Sequence, residues 1–419
     1  MKRLALFAVV LSAWALLPAQ ETSVKLDDLV RTALDRNPGL KALAEEVEAR
    51  KHSIAPAGAL PDPVLALGVK NMSLDRWTVG VDVMSGIPLS LSQSLPFPGK
   101  QRLKSEVAVN EADRAGEDLR SARLSVTREV KELYARLYYY RTALDLVLEK
   151  EGILGQAVKD AEAKYAVGQG TQSDLFKAQV EISGVRETVL TMEGMIRTLT
   201  ARLNSVLDLP PESPVGRLAP ILLDAMPLGL DEIQTAADKN SPILRSASLM
   251  IDRGGLAVAM ARKEFLPDFM VMAGKEFKGA LPDMYQVSIG VEVPLYFKRK
   301  QAPLLAAAVS RLTESRASYA SMKNDLQARL SEDYLAAKTA ESLLKLYADK
   351  TLPQASLALE SSLANYRVSK VDFLTLLSDI NALIGARIEV VRNRTDLWAA
   401  AARIEELTGL EIMKQGAQR

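Results

Sequence analysis

The chain has 419 residues, 48% of them hydrophobic and 25% charged, with a net charge of +1. That balance gives no electrostatic case for nucleic acid as a partner. With no cysteine and one histidine, His52, the sequence excludes a disulfide scaffold, thiolate or multi-histidine metal sites, a cysteine nucleophile and a histidine-based triad.

The N-terminus reads as an export signal over residues 1–20. Lys2-Arg3 is followed by an apolar run from Leu4 to Leu17 and a cleavage region at Pro18-Ala19-Gln20. Fourteen residues are too few for a comfortable helical span of about 20. No other stretch is apolar enough for a transmembrane helix. Any entry into a membrane must therefore be made by strands.

The remainder is written twice. Leu26-Asp27-Asp28-Leu29 through Asn37-Pro38 returns as Leu230-Asp231-Glu232-Ile233 through Ser241-Pro242. Leu60-Pro61-Asp62 returns as Leu266-Pro267-Asp268, Lys100-Gln101 as Lys300-Gln301, and Tyr165-Ala166-Val167-Gly168 as Tyr366-Arg367-Val368-Ser369. A period of about 200 residues is a duplicated domain and not a solenoid. The halves are 21–209 and 221–419, joined by a proline-rich link over 210–220. Each opens with two short helices, since the residue before a proline avoids the helical region.

A Leu-Pro-Asp turn then changes the period from 3.6 to 2. Ile87, Leu89, Leu91 and Leu95 alternate with Ser90, Ser92 and Ser94, and Val287, Ile289, Val291 and Val293 alternate with Ser288, Gly290 and Glu292. Trp77, Val79, Val81 and Val83 alternate with Thr78, Gly80 and Asp82, and partners precede at Val64 to Asn71 and Asp268 to Phe277. One β-hairpin per half is expected, at about 61–97 and 267–295. A soluble half-buried sheet and a barrel wall with Leu89, Leu91, Val287, Ile289 and Val291 facing lipid give the same alternation. Met270 and Met272 share a strand face. They invite a soft-metal reading, but packing is methionine's ordinary use.

Long helical hairpins follow over about 101–207 and 301–407. On the first, apolar or small residues recur at Val109, Ala112, Gly116, Leu119, Ala122, Val126, Val130, Leu133 and Leu137, the seam of helices packed along their length. Continuous helix from Gln101 to Tyr165 would be on the order of 100 Å long. Gly152 and Pro353 each stand thirteen residues before a repeated tyrosine, which predicts a bend or a break of the helix in both halves. Four strands alone cannot close a barrel, and unpaired strand edges in hydrocarbon cost several kcal/mol per group. If the strands enter lipid, copies must associate, and three copies supply twelve strands.

This organisation resembles the TolC-like outer-membrane efflux proteins over essentially the whole mature chain. The residues that carry it are Asn37-Pro38, Leu60-Pro61-Asp62-Pro63, Gln93 to Lys100, and the bends Tyr165 to Gln179 and Tyr366 to Leu377. Pro96 to Lys100 and Thr351 to Ala355 look most like the heavy-metal cation efflux, CusC/CzcC-like, branch. The resemblance implies a mostly α fold with a small β part. It also implies a homotrimer with a twelve-strand barrel in the outer membrane, continued by a periplasmic α-helical barrel. Implied partners are outer-membrane lipid, a periplasmic adaptor and an inner-membrane pump of RND type. The function implied is a passive exit duct for metal cations, without enzymatic activity, cofactor or resident metal. A duct for secreted protein or drugs and a soluble periplasmic scaffold are the rival readings. The bends become the periplasmic tip, with Asp174, Asp372 and Asp379 as aperture candidates and Val167, Gly168, Val368 and Lys370 as adaptor contacts. Helix capping is the alternative role for Asp174 and Asp372, because Thr171 precedes the first by three and Asp372 opens the next helix.

Overall fold

Proline placement decides where the first helices begin. In a computed structural model describing residues 24–73 and 75–412, α1 (Leu26–Arg36) stops at Asn37, whose side chain caps α2 (Pro38–His52) by accepting from the Leu40 N–H at 3.2 Å. Pro38 occupies the first turn, where its missing N–H costs nothing. The second half repeats the proline start without the side-chain cap, α6 (Leu230–Asn240) ending before Ser241 and α7 (Pro242–Lys263). The expected export signal lies outside the described residues.

A short α3 (Ile54–Gly58) leads to β1 (Val64–Leu67) and β2 (Ile87–Leu95), and α7 leads to β3 (Asp268–Phe277) and β4 (Met284–Glu292). All four join in one antiparallel sheet, in the order β1-β2-β3-β4. The alternation at Trp77 to Val83 is not a strand. There the backbone folds into turns, with Val81 and Asp82 N–H groups donating to the Thr78 carbonyl, and Gly80 takes φ +88°. Period-2 hydrophobicity favours a strand but does not supply a partner, and this segment has no strand partner among the described residues.

Two long helical hairpins complete the chain. α4 (Lys100–Ala166) runs unbroken for 67 residues and returns as α5 (Gln172–Val206). α8 (Gln301–Leu346), a π turn (Tyr347–Thr351) and α9 (Leu352–Arg367) form the ascending arm of the other, with α10 (Phe373–Thr408) returning. A break of the helix at Gly152 is therefore absent while the irregularity at Pro353 is present. Glycine keeps its N–H, so the ladder of α4 passes through it at a cost of about 1 kcal/mol. Proline lacks that donor and crowds the preceding turn, so the ladder must change register.

α4 is the pillar, packing against α1, α2, α3, α5, α7 and α10. Its seam is buried at Ala112, Val130, Leu133, Leu137 and Val147, although Val109 is exposed. Three cores form among the described residues. One is set between α4, α5 and the linker, one between α6, α8 and the C-terminal half of α10, and one where the two hairpin turns meet. The linker is stapled to α4: Arg141 donates to the Val215 and Gly216 carbonyls, and the Tyr134 hydroxyl donates to Ala219 at 2.8 Å. Burial, more than any other cause, pushes the Tyr134 phenol up to about 12. Ion pairs tie α4, α8 and α10 together, with Arg403 reaching Asp333 and Glu132, and Arg128 reaching Glu406.

Candidate functional site

Two regions hold the candidate residues: the sheet at one end of the helical body and the paired turns at the other. Strand register sorts the sheet's side chains without ambiguity. Leu91 stands opposite both Leu65 and Ala273, and Ala273 is opposite Val287; Val271 faces Ile289, and Phe269 faces Val291. These residues and Leu89 share one face, because opposed residues across antiparallel strands point the same way. The other face carries Ser90, Ser92, Ser94, Gly274, Gln286, Ser288 and Gly290, with Met270 and Met272 among them. The two methionines thus sit on the polar face.

The apolar face is uncovered. Leu91 is 50% exposed, Val287 77%, Ile289 72% and Val291 51%, while Leu89 is half-buried. The principal packing partners of every strand are strands, not helices. Among the described residues both edges are open as well: β1 has only β2, and β4 only β3. Among the described residues no helix is long and apolar enough to cross a membrane.

At the opposite end the two turns are built alike. Gly168 donates its N–H to Tyr165 and Gln169 to Lys164; Ser369 donates to Tyr366 and Lys370 to Asn365. Gly168 takes φ +76° and Ser369 takes φ +60°, so the serine adopts the left-handed backbone that its position demands. Its hydroxyl accepts from the Lys164 Nζ at 3.1 Å. Lys164 also donates to the Tyr366 carbonyl and lies 4.0 Å from the centroid of that ring. One lysine thereby ties the end of α4 to the turn after α9, a link that no local pattern in the sequence signals.

Val167, Gly168, Val368 and Lys370 are all exposed at these turns. Behind them Phe176, Val180 and Leu374 are solvent-exposed and line a shallow groove with Leu377 between α5 and α10. Periodicity alone does not separate these from core positions. The acidic candidates have local partners. Asp174 completes a capping box, its N–H donating to the Thr171 hydroxyl at 3.2 Å and its carboxylate accepting from the Thr171 N–H. Asp372 caps α10, accepting from the Thr375 N–H at 2.9 Å. The Thr375 hydroxyl, then its backbone N–H, holds the Asp372 carboxyl below the usual carboxylate range. Asp379, two turns further along α10, accepts from the buried Ser362 hydroxyl. Among the described residues the three acids do not gather into a cluster able to hold a metal ion.

Comparison with known proteins agrees with this architecture. The family described as outer membrane efflux protein matches residues 29–207 and again 234–410. The cobalt-zinc-cadmium resistance protein CzcC of Cupriavidus metallidurans is 23% identical over 393 residues, spanning 92% of this chain and 90% of CzcC. The outer membrane protein VceC of Vibrio cholerae has the same fold, with a TM-score of 0.77 at 16% identity over 92% of this chain and 96% of VceC. CusC crystal structures share it at a TM-score of 0.79 and 15% identity, over 92% of each chain. With both halves matched, a small sheet bare on its apolar face and a helical body behind it, the chain belongs to the outer membrane efflux protein family and resides in the outer membrane.

Proposed function

We propose that this protein is a passive exit duct in which three copies close their sheets into a twelve-strand barrel. The single observation that carries this is a four-strand sheet with two unpaired edges and an apolar face that nothing among the described residues covers. In lipid that face is solvated by hydrocarbon, and each unpaired edge group costs several kcal/mol until a neighbouring copy satisfies it. The long hairpins, placed side by side by the same assembly, continue the barrel as a helical tunnel in the periplasm. A soluble scaffold would need the apolar face buried inside the chain.

In this reading the tip of exposed Val167, Gly168, Val368 and Lys370 meets a periplasmic adaptor, and Asp174, Asp372 and Asp379 line the aperture beside their local roles. An RND-type inner-membrane pump would supply energy and substrate choice, so the duct itself carries out no reaction. Divalent metal cations are the proposed cargo, in keeping with the resemblance to a cobalt-zinc-cadmium resistance protein. Deleting the gene should sensitise cells to cobalt, zinc and cadmium. The purified protein should form stable channels in planar bilayers. Metal tolerance unchanged by the deletion, together with sensitivity to drugs, would move the cargo to another class; absence of channels would remove the duct.

A further inference from the structure

The duplication supplies a template for the contact that a single chain lacks. The repeated Leu-Pro-Asp turn sets β1 residues against β3 residues 206 further on, and the hairpin registers then set β2 residues against β4 residues 198 further on. Thus Leu65 matches Val271, Gly68 matches Gly274, Ser90 matches Ser288, and Pro96 matches Pro294. Within the chain, β2 of the first half pairs with β3 of the second, opposing Leu89 to Lys275 and Ser90 to Gly274. The missing contact is its mirror, β4 of one copy against β1 of the next.

We propose that β4 pairs with β1 of a second copy in the register that opposes Val287 to Val69, and that a Lys300–Asp62 ion pair between copies anchors its base. This rests on the ring assembly proposed above. In that register Ile289 also meets Leu67 and Val291 meets Leu65. All six of these residues are more than half exposed in the single chain.

Two independent observations select this register over slips of two residues, which would also pair apolar side chains. The first is charge. In the template, Lys100 is buried and its Nζ lies 2.9 Å from the Asp268 carboxylate, which also accepts from the Phe97 N–H at 2.7 Å. The counterparts are Lys300, immediately before the repeated buried Gln301, and Asp62 of the Leu-Pro-Asp turn. Both are exposed, and among the described residues neither side chain has a partner. The second is glycine. A Cβ on Gly274 would lie 3.1 Å from the Leu89 carbonyl oxygen and 3.3 Å from the Ser90 Cβ, so the approach of β2 explains the glycine there. A Cβ on Gly68 would meet nothing within 4 Å. Its glycine is accounted for once Val287 and Ser288 of another copy arrive as Leu89 and Ser90 do.

The absence of cysteine allows a clean test by cross-linking full-length protein in outer-membrane vesicles. Directly opposed residues lie about 4.5–5.5 Å apart at Cα, within disulfide range, whereas a two-residue offset lies outside it. Oxidation of Val69→Cys with Val287→Cys should give a covalent ladder on a non-reducing gel. Leu67→Cys or Asn71→Cys with Val287→Cys should not. Preferred cross-linking at either offset pair overturns the register while leaving the ring. No cross-link in any pair overturns it too, and the mass in detergent then reports whether the ring falls with it. Asp62→Lys and Lys300→Asp should each lower the temperature at which the oligomer dissociates, and the double reversal should restore it, with Lys298→Ala unchanged. Single reversals without effect, an unrestored double reversal, or a Lys298→Ala loss would overturn the ion pair.

Discussion

Ser369 shows how a position's demand outlasts the residue suited to it. A side chain bearing Cβ costs about 1–2 kcal/mol in the left-handed region, and here the hydroxyl offsets part of that by accepting from Lys164. Ser369→Ala keeps the backbone cost and loses the acceptor, so thermal melts should show about 1 kcal/mol of destabilisation. Ser369→Gly loses both together and should stay near the wild type. An alanine variant no less stable than the glycine one would refute this balance. At Asp372 the carboxyl is held below its ordinary 3.8, so its cap stabilises the folded tip above that value and is lost as pH falls through the lowered one. Amide protection in the first turn of α10 should therefore fall in acid, below about pH 4. Asp372→Asn keeps a good N-cap without the charge and should flatten that dependence. The same variant separates capping from any aperture role, because only the latter should change cation selectivity.

At the scale of elements, the π turn is an accommodation between a local defect and a fixed core. Leu359 and Tyr366 of α9 are buried at the tip against Phe373, Leu376 and Ile380. Turning the π turn into α-helix without removing a residue would rotate α9 by about 100° and withdraw those side chains. Pro353→Ala alone should therefore keep the π turn and change the melting temperature little. Deleting Lys350 in the Pro353→Ala background should give continuous helix with the same buried face. Deleting Lys350 with Pro353 retained places proline in a regular helix and should cost about 3 kcal/mol. Circular dichroism and melts of the three variants distinguish these outcomes, and equal stability of both deletions would contradict the account.

For the whole molecule, the apolar face of the sheet is the surface through which the chain meets its surroundings. Ile289→Lys should weaken folding into lipid vesicles by about 2–4 kcal/mol if it sits near the bilayer midplane. Ser92→Lys, on the polar face of β2 in the same sheet, should insert nearly as well as the wild type. Equal penalties would mean that the two faces are not lipid and lumen.

The sequence by itself determined what depends on neighbours in the chain: the helix starts at Asn37-Pro38 and Ser241-Pro242, the proline-free length of α4, the duplicated order of elements, and the paired turns. Capping by Thr171 and Asp372 was legible for the same reason, since donor and acceptor are three residues apart. Tertiary structure alone decided that Trp77 to Val83 forms turns, that α4 runs unbroken through Gly152 while Pro353 does alter its helix, and that β2 joins β3 across 172 intervening residues. It also decided that Lys164 clasps the second turn and that Asp379 is held by Ser362. Strand alternation states which faces are apolar but not which edges meet. Edge pairing is a contact between distant segments, and its free energy is realised only once the helices have brought both hairpins to the same end of the molecule.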